Sequence, residues 1–439
     1  MNKIMSRNWM RTAVMALSIL LLCMVILNIA RSEELNAVET RINAVYEKAF
    51  YETCELTESI SANYRKLLVA GDSAQMQSLL GDISRQTQGA SGNLALLPLG
   101  EETISATIKF INQAEDFAES LSQRIAAGGE VTEDDYATME QLSESAARFA
   151  VGLMRLLERY ERGEAVFNAG DFPETGDESL YPLSSEEGEY PVLLYDGPFS
   201  DGSKSGRYEL LSTLEQVSRE EAETRLRAFI PVDELEYVGE SRPEVEVWEF
   251  HVRSGSYWIS AGVTKQGGQI LYLLPETDEN QVNYTEEELV DIAQAFLLSR
   301  GYGAMEMSYF SRYSGILTIN FAAEQDGVVL YPDLVKLQLS MRDGRVIGID
   351  AENYLKNHVE RALGVPTVSE DDAMLRVSSR LTPLAARLCV IPVGTAEYLC
   401  YEISAVDNEG EFLVYVDAQT GVERELMQLI SRNNGTLVM

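Results

Sequence analysis

The chain is poor in the residues on which most active sites are built. It has two histidines, His251 and His358, and four cysteines, Cys23, Cys54, Cys389 and Cys400, in 439 residues. No two cysteines form a Cys-x-x-Cys pair. Zinc centres and histidine-dependent triads therefore have little to draw on. No phosphate loop, dinucleotide fingerprint or nucleophile elbow occurs. Four cysteines are too few for a disulfide scaffold. Positive charge is scarce as well: 35 basic residues stand against 70 acidic ones, a net charge of −35. A body of that sign repels phosphate backbones and anionic lipid headgroups, which excludes nucleic acid as a partner.

Long apolar runs are missing with one exception. Thr12–Ala30 is nineteen residues without a charge, bracketed by Arg11 and Arg31. At ~1.5 Å per residue this matches a hydrocarbon core of roughly 30 Å. The apolar region of a signal peptide is shorter, about 7–15 residues, and Asn28-Ile29-Ala30-Arg31 fits a small-x-small cleavage site poorly. The run predicts an uncleaved transmembrane anchor within residues 1–31. Lys3, Arg7 and Arg11 precede it and Glu33 and Glu34 follow Arg31, so the positive-inside bias puts the N-terminus in the cytoplasm and the body outside. That body holds 31 basic and 70 acidic residues, a net of −39.

What is present falls into two styles of pattern. From Glu33 to about Tyr64, Leu35, Val38, Ile42, Val45 and Tyr46 recur at helical spacing. Further helices are predicted at about Asp72–Gln88, Glu101–Ala127 and Thr132–Arg162. Gly128-Gly129 separates the last two, and Thr132 with Asp135 resembles a capping box. The stripe Met139, Leu142, Ala146, Phe149, Leu153 and Leu157 predicts antiparallel helices burying a shared face. Residues 33–165 are thus expected to be an all-α domain. Residues 166–206 form a linker: 163–189 is acidic and rich in Gly, Pro and Ser, open to proteolysis. It ends in Tyr190-Pro-Val-Leu-Leu-Tyr195-Asp-Gly-Pro-Phe199-Ser-Asp, an apolar run closed by a turn at Asp196-Gly197-Pro198.

Beyond the linker the chain repeats. Ser218-Arg-Glu-Glu221, Thr285-Glu-Glu-Glu288 and Ser369-Glu-Asp-Asp372 are three similar helix starts. Each leads to alternating strands: Trp248/Phe250/Val252, then Val335/Leu337/Leu339/Met341, then Leu399/Tyr401/Ile403. Each unit closes at a turn glycine, Gly268, Gly344 and Gly421, at intervals of 76 and 77 residues. Alternation leaves one apolar face, which the single helix of each unit would cover. Three α+β units follow, each one helix on an antiparallel sheet: 207–277, 283–356 and 366–437. The acid pairs Asp134/Asp135, Glu286–Glu288 and Asp371/Asp372 sit at helix starts, where the helix dipole accounts for them. His251 falls on the polar face of its strand and His358 near the end of a helical stretch, both solvated. No catalytic pair, cofactor or metal site is assigned. If Gly394-Thr395 is a two-residue hairpin loop, Cys389 and Cys400 face each other across the ladder. A disulfide between them and a pair of buried thiols are both open readings.

The strings Tyr195-Asp-Gly-Pro-Phe-Ser200, Leu96-Leu97-Pro98-Leu99, Lys109-Phe110-Ile111 and Asp116-Phe117 resemble the germination protein YpeB family of endospore-forming bacteria. Phe412-Leu-Val-Tyr-Val-Asp-Ala-Gln-Thr-Gly421-Val resembles the PepSY module, a hydrophobic strand ending in Asp, a turn and Gly. Leu337–Asp350 is a good match to the same pattern, and the first unit, lacking an Asp in its turn, departs most. The resemblance implies a non-catalytic protein at the spore inner membrane or cortex. It implies a partner, a SleB-type cortex-lytic hydrolase of spore peptidoglycan, that the protein localises, stabilises and restrains. Two alternatives stand beside it: a wall-binding or sensor module that takes peptidoglycan without a hydrolase, and a peptidoglycan hydrolase itself. Partner contact is assigned to Tyr195, Asp196, Pro198 and Phe199, because the string is more specific than a turn requires; the competing reading is that it packs a domain junction.

Overall fold

In the computed structural model of the chain, the described residues are 40–97, 101–161, 199, 208, 210–241, 245–276, 279–313, 315–408, 410–432 and 435–438. They divide into two compact units. The first takes in the described residues of Met1–Glu58, Ser84–Asp116 and Ser145–Ser185, and the second those of Ser59–Ile83, Phe117–Glu144 and Glu186–Met439. Four long helices run through the N-terminal region: α1 (40–69), α2 (Ser73–Leu94), α3 (Glu101–Ala126) and α4 (Glu133–Glu161). They follow the helical periodicity read from the sequence, and Gly128, with φ of 80°, makes the break between α3 and α4. Thr132 and Asp135 exchange the capping-box bonds that restart the chain as α4.

In the first unit the stripes meet as helix on helix. Phe50, Cys54, Ala90, Ile111, Ala114 and Leu153 are buried, and the rings of Phe110 and Phe149 lie 6.1 Å apart. Asn93 reaches Glu52 at 3.2 Å and Gln88 reaches Glu115 at 2.8 Å.

The second unit carries the repeats. The first is α5 (Arg219–Phe229) with β1 (Glu234–Ser241), β2 (Val247–Ser254), β3 (Tyr257–Thr264) and β4 (Ile270–Glu276). The second is α6 (Glu286–Ser299) with β5 (Met305–Tyr313), β6 (Ile316–Gln325), β7 (Val328–Ser340) and β8 (Val346–Asp350), then α7 (Glu352–Asn357). The third is α8 (Glu370–Met374) with β9 (Thr382–Val393), β10 (Ala396–Val406), β11 (Glu411–Asp417), β12 (Glu423–Arg432) and β13 (Gly435–Val438). Full capping boxes start α5 and α6, and Ser369 caps α8. Gly268, Gly344 and Gly421 all sit at positive φ, the conformation for which the repeat keeps glycine.

The expected fold class needs correction on three points. The three sheets are one. Its strand order is β1-β2-β3-β4-β8-β7-β6-β5-β13-β12-β11-β10-β9, thirteen strands among the described residues. A four-stranded repeat leaves two edges of unpaired backbone groups, and here the edges find each other. β4 joins β8 through Tyr272↔Asp350 and Leu273↔Ile349, and β13 joins β5 through Gly435↔Ser311. Second, one helix per unit does not hold: α8 is only five residues, and α7 is added to the second unit. Third, no helix among the described residues is long and apolar enough to cross a membrane. The transmembrane helix is therefore withdrawn from the fold; Thr12–Ala30, which carried it, lies outside the described residues. The architecture is a helical N-terminal region followed by a large, mostly sheet C-terminal region.

One strand decides how the repeats are joined. The C-terminal half of β7 pairs with β8, while its N-terminal half pairs in parallel with β9 through Val329↔Cys389 and Leu330↔Val390. This closes a circuit, β7-β6-β5-β13-β12-β11-β10-β9 and back to β7. The strands of repeats one and two share a core under α5 and α6, with Phe250, Ile259, Phe321, Leu337 and Leu297 among its buried members. The strands of the circuit share a second core: Tyr309, Ala322, Val329, Tyr331, Cys389, Ile391, Cys400, Tyr415 and Met427.

Candidate functional site

The joint between the second and third repeats grows from a fault in the β6–β7 ladder. Ala322 pairs with Leu334 but Ala323 pairs with Leu330, so Tyr331, Pro332 and Asp333 are extruded from the register. Proline cannot donate to a ladder, and a bulge is where a strand tolerates it. The bulge leaves Tyr331 and Asp333 fully buried, and each organises a cluster.

The hydroxyl of Tyr331 donates to Glu402 on β10. Arg387 on β9 holds the same carboxylate through Nε at 2.7 Å, reaches the Tyr331 hydroxyl at 3.2 Å, and extends to Glu306 on β5 at 3.3 Å. Burial, with the Glu402 carboxylate beside it, pushes the Tyr331 phenol well above its ordinary range, so it is a donor at every working pH. Tyr415 is completely buried against it and shifted in the same direction, again chiefly by burial.

Asp333 organises the second cluster. Arg361 grips it with two 2.8 Å bonds, one from each terminal nitrogen, and at the same time binds Glu397 through Nε at 2.7 Å and Nη2 at 2.9 Å. Nδ1 of His358 sits 2.8 Å from Asp333, and its ring stacks on Tyr354 with centroids 4.3 Å apart. Gln325 exchanges bonds with both backbone groups of Arg361. The segment that connects the second repeat to the third is thus tied to β7 of the second and to Glu397, at the start of β10, of the third. His358 is a positioned member of this cluster, where the sequence pattern places it in solvent. His251 is half-buried and stacks on Trp258 at 4.7 Å.

Of the residues assigned to partner contact, Phe199 is described, and Tyr195, Asp196 and Pro198 lie outside the described residues. Phe199 turns inward. Its ring packs 5.1 Å from that of Tyr331 and 5.3 Å, edge-on, from that of Tyr415. Its φ of 59° is left-handed, a conformation that costs a non-glycine residue roughly 1–2 kcal/mol and persists only when surrounding contacts impose it. Phe199 therefore belongs to the joint, the packing role set beside partner contact above. Cys389 and Cys400 do face each other in register across the Gly394-Thr395 loop. Both are buried free thiols. Burial pushes the Cys389 thiol well up and that of Cys400 to about 12, which makes both inert.

Asp417, the hallmark acid of the third unit, is a turn residue. It accepts from the amides of Gln419 at 2.8 Å and Thr420 at 3.0 Å, and from Arg424 at 2.6 Å. Burial alone would raise its carboxyl, but Arg424 and the turn amides outweigh it and hold the group below the usual carboxylate range. Sequence reasoning missed Asp333, Arg361, Arg387 and Glu402. Only Pro332, inside an otherwise alternating strand, could have marked the bulge.

Two family models match the chain: YpeB N-terminal, over residues 34–169, and YpeB sporulation, PepSY1 and PepSY2 domains, over residues 177–364. A sporulation protein YpeB of Halalkalibacterium halodurans is 24% identical over 413 residues, covering 88% of this chain and 89% of that one. A sporulation protein YpeB of Bacillus subtilis is 20% identical over 415 residues, covering 90% and 92%. Among solved structures, the YpeB C-terminal domain of Bacillus megaterium aligns with 25% identity and a TM-score of 0.46, covering 49% of this chain and all of that one.

Proposed function

The chain belongs to the YpeB family of sporulation proteins, and from that premise we propose that it is a non-catalytic germination protein that localises, stabilises and restrains a SleB-type cortex-lytic peptidoglycan hydrolase in the dormant spore. The observation that carries this reading is the pair of family matches, which together cover the helical region and two PepSY domains and indicate no catalytic family. PepSY domains are typically regulatory. The tie between the second and third repeats supports a holding role, because a scaffold that positions a partner must resist bending between its modules. Its place is outside the cytoplasm, in the cortex region. Tyr195, Asp196 and Pro198 remain the proposed partner contacts.

The test is co-purification from dormant spores with the tagged protein as bait and mass spectrometry as readout. Recovery of a cortex-lytic hydrolase in near-stoichiometric amount is expected. Recovery of peptidoglycan without a hydrolase would replace the proposal by a wall-binding module. Purified protein added to the hydrolase should lower its turnover on cortex fragments, and spores lacking the gene should hold less hydrolase. Unchanged hydrolase levels together with unchanged turnover would refute it.

A further inference from the structure

Within the second unit, the elbow between α1 and α2 is seated on β12 through a carboxyl group with almost nothing to hold it as an anion. Glu423, at the start of β12, is 7% exposed. Its Oε2 accepts the Gly71 amide at 3.2 Å. Its Oε1 is buried and has no hydrogen-bond partner among the described residues. The approach is so close that a Cβ on Gly71 would lie 3.1 Å from that Oε2 and 3.2 Å from the Ser378 amide nitrogen.

The charged groups around it are of the wrong kind. Asp72 follows Gly71 on the elbow, and Glu425 lies two residues along the strand; both act to keep a proton on Glu423. Lys66 on α1 is buried nearby, but its electrostatic partners are Glu425 and Asp82 of α2. Gln75 of α2 donates to Glu425 at 3.4 Å. Arg424 points to Asp417. Arg376, from the segment after α8, presents its carbonyl to Gly71, and its guanidinium lies beside Gly421. Arg65 of α1 pairs with Asp407 at 2.5 Å and lies over Phe412, which fixes the helix to the third repeat. A buried carboxylate with one weak donor and two anionic neighbours is unstable relative to the acid.

We propose that Glu423 and Gly71 form a proton-dependent latch: while Glu423 is neutral the elbow stays seated on the third repeat, and ionisation of Glu423 unseats it. Burial, reinforced by Asp72 and Glu425 and opposed by the Gly71 amide, raises the carboxyl to about 7, so the seat weakens as pH rises toward 7 and is weakest above it. The segment freed is the one joining α1 to α2, and the repeats keep their own ladders. The proposal stands independently of which partner the protein holds.

Hydrogen exchange on the full chain, read by mass spectrometry and corrected for intrinsic exchange rates, tests it. Peptides covering 66–76 should lose protection about tenfold between pH 6 and pH 8.5, while peptides from β2 and β3 keep theirs. Glu423→Gln keeps the acceptor without the charge and should stay protected throughout. Gly71→Ala, checked for a cooperative melt by circular dichroism, should be unprotected at both pH values. Glu425→Gln should move the midpoint to lower pH without abolishing it. A wild-type profile that is flat, a Glu423→Gln profile that falls like wild type, or loss of the transition in Glu425→Gln overturns the latch.

Discussion

Replacing Arg361 by alanine should destabilise the second unit more than any surface charge deletion. Asp333 is completely buried, and Arg361 gives it two of its bonds, both 2.8 Å long. The guanidinium is itself only 9% exposed, so neither partner can recover its hydration in place. Removing Arg361 leaves Asp333 with His358 alone among the described residues, and breaking a buried pair costs about 3–5 kcal/mol. Loss of the Glu397 bonds adds less, because that carboxylate is half exposed and regains water. At roughly 2 °C per kcal/mol for a unit of this size, the melting temperature should fall roughly 6–10 °C. The assay is urea and thermal unfolding of the full chain followed by circular dichroism in the far ultraviolet. The double variant Asp333→Leu/Arg361→Met removes both charges and should recover to within about 1 kcal/mol of wild type, because an apolar pair of similar volume substitutes well for a buried ion pair. A loss below about 1 kcal/mol in Arg361→Ala, or a double variant no better than the single one, would refute the reasoning.

Three further outcomes are expected. Phe199→Ala should cost roughly 1–3 kcal/mol, seen as a lower melting temperature, because it empties the ring contacts with Tyr331 and Tyr415; an unchanged melt would remove Phe199 from the joint. Gly262→Ala places a methyl 2.3 Å from the Tyr272 ring and should cost about 1–3 kcal/mol in urea unfolding, and adding Tyr272→Ala should relieve that clash; no loss in the single variant would refute the packing. Glu423 ties stability to pH: its folded value of about 7 lies above the ordinary 4.5, so the folded state binds the extra proton. Stability should therefore fall as pH rises from about 4.5 to 7 and level off above, by roughly 3 kcal/mol in all. Glu423→Gln should lack that component, and an identical slope in wild type and variant would contradict it.

How much could be read in advance depends on the range of the interaction involved. The helices of the N-terminal region, the capping boxes at Ser218 and Thr285 and the turn glycines Gly268, Gly344 and Gly421 were legible because each is settled within a few residues. The Cys389–Cys400 register was legible for the same reason, since a two-residue loop fixes the pairing of its own strands. The role of Phe199 was half legible: the string marked it as unusual, but only the fold shows its ring spent on Tyr331 and Tyr415.

The sequence by itself determined the local grammar: where helices start, which face of each strand is apolar, how often the unit recurs and what charge the body carries. Tertiary structure alone decided that three units share one sheet and that β7 divides its two halves between β8 and β9. It alone brought Asp333 to Arg361, 28 residues away, and Gly71 to Glu423, 352 residues away. The physical reason is that strand edges and buried charges have no preferred partner in the chain's own neighbourhood. Unpaired backbone groups accept any edge of matching length, and an Asp or Arg reads as solvated until packing removes the water. Which edge arrives, and which charge is left dry, is settled by the closure of the whole sheet.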